Sequence, residues 1–217
     1  MAQFDLFLPA KRPWNTARII GAKPPFKPKH IWGAPDQMIA AADQAFGGRF
    51  KGRLDILVNN AGLLEFGSFL ETTYEAYDRH FDLNVRCPML LSRRAAERMR
   101  ANGWGRIINI GSAFGEAVPL AGLTHYATTK FAIRGFTKAL SRELGMVGIT
   151  VNAVQPGPTN TDLSPEDGPV SDTMKGFTSV GRFATTREIA SAVAFLADPQ
   201  SAYVNGECLT VDGGWNA

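Results

Sequence analysis

Apolar residues are concentrated in three short segments of the chain, and each segment ends in small or polar residues. The segments are LDILVNNAG at 54–62, RIINIGS at 106–112 and ITVNAVQPG at 149–157. Apolar runs of this length are typical of strands that are buried on both faces of a parallel sheet. A fourth segment, ECLTVDGGW at 207–215, predicts a last strand followed by a turn.

The stretches between these segments carry the signals that begin and end helices. Aspartate or threonine caps precede apolar residues at helical spacing, and glycines follow several of these stretches. The signals predict helices over about 36–46, 73–102, 124–145 and 187–196. Prolines at 158, 165 and 169 instead predict a loop-rich stretch from Pro156 to Gly181.

Strands that alternate with helices predict an α/β fold with a doubly wound parallel sheet. Its crossovers are expected to be right-handed, with helices on both faces. A further segment, ARIIG at 17–21, is predicted to pair beside 54–58. Without such a partner the buried strand at 54–58 would become a sheet edge with unpaired backbone groups, which is a liability.

Tyr126 and Lys130 lie four residues apart within the helix predicted over 124–145. Their side chains therefore leave the same helix face about one turn apart. A lysine ammonium beside a phenol favours the phenolate, so we expect Lys130 to lower the pKa of Tyr126 toward working pH. Tyr126 is then a candidate proton donor and acceptor.

Further motifs accompany this pair in a fixed order. NNAG occupies 59–62, Asn84 lies in HFDLNVRCP and Ser112 lies in RIINIGSAFG. On these motifs the chain, from about Pro35 to its C-terminus, resembles the short-chain dehydrogenase/reductase family. The resemblance implies a Rossmann-like fold and a catalytic set of Asn84, Ser112, Tyr126 and Lys130.

The resemblance also implies a role for each catalytic residue. Tyr126 would protonate the carbonyl oxygen of the substrate, and Ser112 would hydrogen-bond the same oxygen. Lys130 would contact the ribose hydroxyls of the nicotinamide half of the cofactor. Asn84 would hold a water that links Lys130 to solvent.

The cofactor implied by the resemblance is NAD or NADP. Ala61 and Gly62 would border the adenosine ribose, whereas Thr159 and Thr161 in PGPTNTD would hold the nicotinamide carboxamide. Asn59 could equally have a structural role that ties neighbouring strands together. The full set of implied cofactor-binding residues is Asn59, Ala61, Gly62, Tyr126, Lys130, Pro156, Gly157, Thr159 and Thr161.

Residues 1–34 depart from the family pattern. They contain five prolines and two glycines, and the family's TGxxxGxG motif, which receives the cofactor pyrophosphate, is missing from them. We therefore predict an irregular proline-rich segment at 1–34 and an α/β domain at 35–217, with missing or remodelled first βαβ units. Cofactor binding is expected to be weak or lost. The segment that selects between NAD and NADP in the family is also missing, so the sequence does not predict which of the two is bound.

The amino-acid composition limits the kinds of binding partner to expect for this protein. A net charge of +3, from 23 basic and 20 acidic residues, gives no reason to expect nucleic acid. No apolar run approaches the length of a membrane span, and no ligand pattern predicts a metal site. Cys87 and Cys208 lie far apart in apolar surroundings, which indicates buried, reduced thiols and a cytoplasmic location.

Apolar residues also remain on faces of the two longest predicted helices that the sheet cannot cover. They predict a homodimer or homotetramer built on a four-helix contact between subunits. The candidate contact residues are Met89, Leu90, Phe131 and Phe136.

Three functions are compatible with these residues. The preferred one is NAD(P)-dependent reduction of a small carbonyl or oxidation of an alcohol. The second is cofactor-independent hydrolysis of an ester or lactone, with Ser112 as nucleophile activated by the Tyr126 phenolate. No GxSxG motif accompanies Ser112, which counts against it. The third is a non-catalytic, ligand-binding remnant.

Overall fold

The computed structural model describes residues 19–21 and 54–217. Five strands in this part of the chain form one parallel sheet, and their spatial order follows their order in the sequence. They are β1 Ile19–Gly21, β2 Ile56–Asn59, β3 Gly105–Ile110, β4 Ile149–Pro156 and β5 Cys208–Val211. All carboxyl ends therefore lie at one edge, where open α/β sheets bind their ligands.

The same residues form five α-helices. These are α1 Tyr74–Phe81, α2 Cys87–Asn102, α3 Thr124–Leu144, α4 Ser171–Phe177 and α5 Thr186–Ala197. A π-helical segment, Asp82–Arg86, joins α1 directly to α2. Of the helices described, none has the length and apolar character needed to cross a lipid bilayer.

Capping residues explain where the helices begin and end. The hydroxyl of Thr73 accepts a hydrogen bond from the backbone N–H of Ala76 at 3.2 Å and starts α1. Gly103 ends α2 in the left-handed conformation, with φ of 62°, which favours glycine. Thr185 and Glu188 form a reciprocal capping box at the start of α5.

Helices cover both faces of the sheet. α2 and α3 pack on one face, around buried residues such as Leu57 and Met99. α5 packs on the other face, where Ile56 and Leu196 are buried. The crossovers through α2, α3 and α5 all step in the same direction along the sheet, so the one through α5 has the opposite hand to the other two. The prediction that every crossover is right-handed is therefore wrong for at least one.

Most predicted elements are confirmed. β1 pairs in parallel with β2, with Ile19 opposite Ile56, which confirms the strand predicted at 17–21. The prediction of a loop-rich stretch at 156–181 is wrong over α4. The helix predicted over 36–46 and the boundary at residue 34 lie outside the described residues, so both stay predictions.

Candidate active site

The side chains predicted to be catalytic converge at the carboxyl edge of the sheet. A Cβ added to Gly62 would lie 3.6 Å from both Asn84 Oδ1 and Lys130 Nζ, so three separate elements meet at this point. Lys130 Nζ also lies 5.5 Å from the centroid of the Tyr126 ring. The side chain of Ser112 lies close enough to Tyr126 for a hydrogen bond that lowers the pKa of the phenol. The structure thus brings Asn84, Ser112, Tyr126 and Lys130 into one site.

Lys130 is a buried cation, with 6% of the residue exposed. Its Nζ donates to the carbonyl oxygen of Ile110 at 3.0 Å. Burial lowers the pKa of the ammonium to about 8, and no carboxylate in the described part of the chain opposes that effect. An ammonium has three donor hydrogens, so two remain for a ligand once the Ile110 bond is made.

Tyr126 is buried in α3, and burial raises the pKa of its phenol above the ordinary value. The hydrogen bond with Ser112 acts in the opposite direction but is the smaller influence. The expectation that Lys130 brings the tyrosine pKa down toward working pH is therefore wrong for this structure. Removing the phenolate from water costs more than the Ser112 hydrogen bond returns, and Lys130 is not among the groups that shift this pKa.

Ser112 follows the end of β3, in a tight turn that continues into the 3₁₀ turn Ala113–Gly115. Its Oγ accepts a hydrogen bond from the backbone N–H of Phe114 at 3.2 Å. Its own backbone N–H donates to Gln155 Oε1 at 2.7 Å. The hydroxyl hydrogen of Ser112 is thus left to donate, while the main chain on either side is fixed.

Asn84 lies in the π-helical segment, is 2% exposed and makes three hydrogen bonds to protein groups. Its Oδ1 accepts from the N–H of Leu63 at 2.8 Å, and its Nδ2 donates to the Leu63 carbonyl at 2.9 Å. Nδ2 also donates to Thr129 Oγ1 at 3.0 Å. Both amide hydrogens are used, so Oδ1 is the atom that remains for the water predicted at Asn84.

Within NNAG, Asn59 has a structural role, whereas Ala61 and Gly62 lie at the site. Asn59 is buried, and its Nδ2 donates to Ser92 Oγ at 3.0 Å and to Asn109 Oδ1 at 2.8 Å. These bonds tie β2 to β3 and to α2, which is the structural role considered for this residue. Ala61 and Gly62 are half-buried at the edge of the sheet.

The segment from Pro156 to Thr161 leaves β4 at the same edge. A Cβ on Gly157 would lie 2.6 Å from the carbonyl oxygen of Asp212, so only glycine fits beside the turn after β5. The hydroxyl of Thr159 donates to the Gly157 carbonyl at 3.0 Å, and that of Thr161 accepts from the N–H of Ser164 at 3.2 Å. Both threonine hydroxyls therefore stabilise the local backbone in this structure.

Aromatic rings connect α4 with Tyr126. Phe114 packs edge-on against Tyr126, with 6.0 Å between ring centroids. Trp215 packs edge-on against Phe114 at 5.2 Å and against Phe177 of α4 at 4.9 Å. α4 and the C-terminal turn therefore form one apolar wall beside the Ser112 turn.

This arrangement fits the nicotinamide-ribose half of a dinucleotide. Lys130 supplies two donor hydrogens in a buried position, and the hydroxyl groups of a ribose are suitable acceptors. Gly62 leaves open the space that a Cβ would fill beside Lys130 and Asn84. The hydroxyl-bearing side chains of Tyr126 and Ser112 lie near that space, and each can donate a hydrogen bond.

Three residues of the site were missed by the sequence interpretation. Gln155 supports the turn at Ser112, Thr129 binds Asn84, and Trp215 forms part of the apolar wall. A glutamine within the apolar strand ITVNAVQP is an available signal, because a buried polar side chain needs a partner. Thr129 and Trp215 carry no comparable signal.

Comparison with known proteins gives consistent matches. The family model described as enoyl-(acyl carrier protein) reductase matches residues 34–216. The cyclic-di-GMP-binding biofilm dispersal mediator protein of Escherichia coli is 41% identical over 169 residues, which cover 78% of this chain and 70% of the relative. Cyclopentanol dehydrogenase of a Comamonas species is 38% identical, covering 87% of this chain and 72% of the relative.

A solved structure extends these matches to the fold. The crystal structure of a blue fluorescent protein from a metagenomic library, in complex with NADPH, superposes with a TM-score of 0.81. The two chains are 43% identical, and the match covers 86% of this chain and 74% of the other. At this identity and coverage, the likeness extends beyond the fold to the sequence.

Proposed function

We propose that this chain, which belongs to the short-chain dehydrogenase/reductase family of NAD(P)-dependent oxidoreductases, interconverts a small carbonyl compound and its alcohol. The observation that carries the proposal is the convergence of Ser112, Tyr126 and Lys130 beside the open space at Gly62. One relative is named for cyclopentanol, so a small cyclic ketone is the substrate class to test first.

Each residue has a defined part in the proposed reaction. Tyr126 donates its phenolic proton to the carbonyl oxygen, and the raised pKa of Tyr126 keeps that proton in place at neutral pH. Ser112 donates a hydrogen bond to the same oxygen as negative charge develops on it. NAD(P), when bound, supplies the hydride that reaches the carbonyl carbon, so carbon and oxygen gain one hydrogen each.

Lys130 and Asn84 support this pair. Lys130 would hold the ribose hydroxyls of a bound dinucleotide with the two donor hydrogens that the Ile110 bond leaves. Asn84 clamps Leu63 against α3 through Thr129, which keeps Gly62 in place beside the ammonium. The proposed cofactor set otherwise follows the sequence prediction, with Ala61, Gly62 and the segment from Pro156 to Thr161 as its border.

The ligand-binding alternative is the second candidate, because one relative is named for binding cyclic di-GMP. The hydrolase alternative is disfavoured because no GxSxG motif accompanies Ser112. The sequence also lacks the glycine-rich turn that receives a pyrophosphate. Cofactor affinity is therefore the first quantity to measure.

The experiment has two arms. NADH and NADPH are titrated against the protein, and cyclopentanone reduction is then followed with the dinucleotide that binds. We expect saturable binding and turnover, with Tyr126→Phe retaining binding but losing at least about 100-fold in rate. Binding of cyclic di-GMP with no dinucleotide binding at millimolar concentration would favour the second candidate.

A third measurement tests hydrolysis directly. The protein is treated with an activated phosphonate, and its intact mass is measured. We expect no stoichiometric adduct. An adduct that is lost in Ser112→Ala would identify Ser112 as a covalent nucleophile and would overturn the oxidoreductase proposal.

A further inference from the structure

Gln155 is the last residue but one of β4, and its side chain is fully buried beneath the Ser112 turn. Oε1 accepts the backbone N–H of Ser112 at 2.7 Å. Because a backbone N–H can only donate, this contact fixes which end of the glutamine amide faces Ser112. Nε2 has no hydrogen-bond partner among the described residues.

The glycines around Ser112 leave room for this side chain. A Cβ on Gly111 would overlap Gln155 Oε1, and a Cβ on Gly115 would lie 3.4 Å from Nε2. The glutamine therefore fills the space under the turn from 111 to 115. The burial of an unpaired amide nitrogen carries a free-energy cost, so packing alone does not account for a glutamine here.

We propose that Gln155 is a positioning residue that holds the Ser112 main chain so that the Ser112 hydroxyl meets the hydroxyl of Tyr126. The inference rests on the proposed function only for the assignment of Ser112 and Tyr126 as the reacting pair. Gln155 itself touches neither the substrate nor the cofactor in this account.

A measurable consequence follows for Tyr126. Burial raises the pKa of its phenol, and the Ser112 hydrogen bond lowers it. The ammonium of Lys130 lies 5.5 Å from the centroid of the Tyr126 ring, and a change at Gln155 leaves it in place. Loosening Ser112 weakens the lowering influence alone, so the pKa of Tyr126 must rise.

The primary variant is Gln155→Met, which keeps an unbranched side chain of similar length and removes the acceptor. The readout is an ultraviolet titration of the phenol, without cofactor or substrate. The Tyr126→Phe variant is subtracted to isolate Tyr126 from the other three tyrosines. We expect the Tyr126 midpoint to move upward by about 0.5 pH or more, because one hydrogen bond is loosened. The acid limb of the alcohol-oxidation profile should move with it.

Two controls separate positioning from general damage. Thr150→Val removes another buried and unpartnered polar atom from β4, at the opposite end of the strand, and should leave the midpoint unchanged. In a Ser112→Ala background, Gln155→Met should cause no further shift, because the connecting hydroxyl is gone.

An unchanged Tyr126 midpoint in a folded Gln155→Met protein would overturn the inference, and so would a full shift in the Ser112→Ala background. If the methionine variant does not fold, Gln155→Asn replaces it, since the same amide is then one methylene too short to reach Ser112. The phenol titration needs no turnover. Failure of the proposed reaction and failure of this inference are therefore distinguishable.

Discussion

Trp215 packs edge-on against Phe114, with 5.2 Å between the centroids of the two rings. Phe114 in turn contacts Tyr126, and Trp215 contacts Phe177 of α4. Trp215 therefore connects α4 with Tyr126, the proposed proton donor, through Phe114.

Trp215→Leu removes both edge-on contacts of the indole while keeping an apolar side chain. We expect kcat/KM for the carbonyl substrate to fall by up to about 30-fold, because the two lost aromatic contacts together contribute about 2 kcal/mol. Steady-state kinetics measures this. Tyr203→Leu is the control, since Tyr203 is fully exposed and its replacement should change nothing. Equal losses in the two variants would contradict a role for the aromatic wall.

Lys130 gives a stability prediction with a defined sign. Its pKa is lowered to about 8 in the folded protein, below its ordinary value of 10.5. Below pH 8 both states hold the proton, so the folded state carries the whole cost of the buried charge. Between about pH 8 and 10.5 the folded state loses the proton first, and stability rises with pH.

Lys130→Met removes this cost, about 3 kcal/mol by the pKa difference, and loses a hydrogen bond to Ile110 that contributes about 1 kcal/mol. We expect the variant without cofactor to be more stable than wild type by about 2 kcal/mol at pH 7. The advantage should shrink as the pH approaches 10.5. Urea unfolding across this range measures it, with the exposed Lys138→Met as control. A difference that does not depend on pH would contradict the assignment.

Asn84→Leu is expected to destabilise the protein by about 2–4 kcal/mol. It removes three hydrogen bonds and leaves the N–H and carbonyl of Leu63 unpaired in a partly buried position. Asn60→Leu, at an exposed position in the same region, should stay within about 0.5 kcal/mol of wild type. Urea midpoints compare the two, and similar values for both would show that Asn84 has no clamping role.

Two glycine substitutions should have opposite signs. Gly157→Ala forces a Cβ to within 2.6 Å of the Asp212 backbone and should cost about 1–3 kcal/mol. Gly135→Ala, inside α3 with no atom within 4 Å of the new Cβ, should stabilise the protein by about 0.5–1 kcal/mol. Thermal unfolding of both variants tests the prediction, which fails if both lower the midpoint.

We propose a homodimer or homotetramer through the outer faces of α2 and α3. Met89 and Phe131 are 46% and 45% exposed on these faces. Replacing both with aspartate should give a monomer in sedimentation velocity at micromolar concentration, because buried carboxylates would lack partners. Met146→Asp, at a 95% exposed site outside both helices, should leave the assembly intact. A monomeric wild type would refute the proposal.

Much of the sheet and of the site could be predicted from the sequence, because the signals are local. The strand segments are nearly continuous apolar runs, and Tyr126 and Lys130 share a helix face by spacing alone. The pairing of β1 with β2 could be predicted because the segment at 17–21 precedes the strand at 54–58 in the sequence. Whether these residues catalyse the proposed reaction stays a prediction that the kinetics must test.

The remaining features depend on tertiary structure. The direction of the Tyr126 pKa depends on burial, which spacing does not reveal. α4 lies among prolines and glycines that favour a loop, and packing of its buried Met174 overrides that preference. The opposite hand of the last crossover depends on which face Leu196 covers.

The π-helical segment at Asp82–Arg86 has a consequence for insertions and deletions. Such a segment is equivalent to one residue added to a regular α-helix. Deleting one residue there would leave a smooth helix but would rotate α1 by about 100° relative to α2. Tyr77, whose ring lies 5.6 Å from that of His125, would then lose its neighbour on α3. The extra residue therefore sets the rotation of α1 relative to α2. A deletion of one residue, which a surface loop tolerates, would here turn the Asn84 side chain away from Leu63 and Thr129.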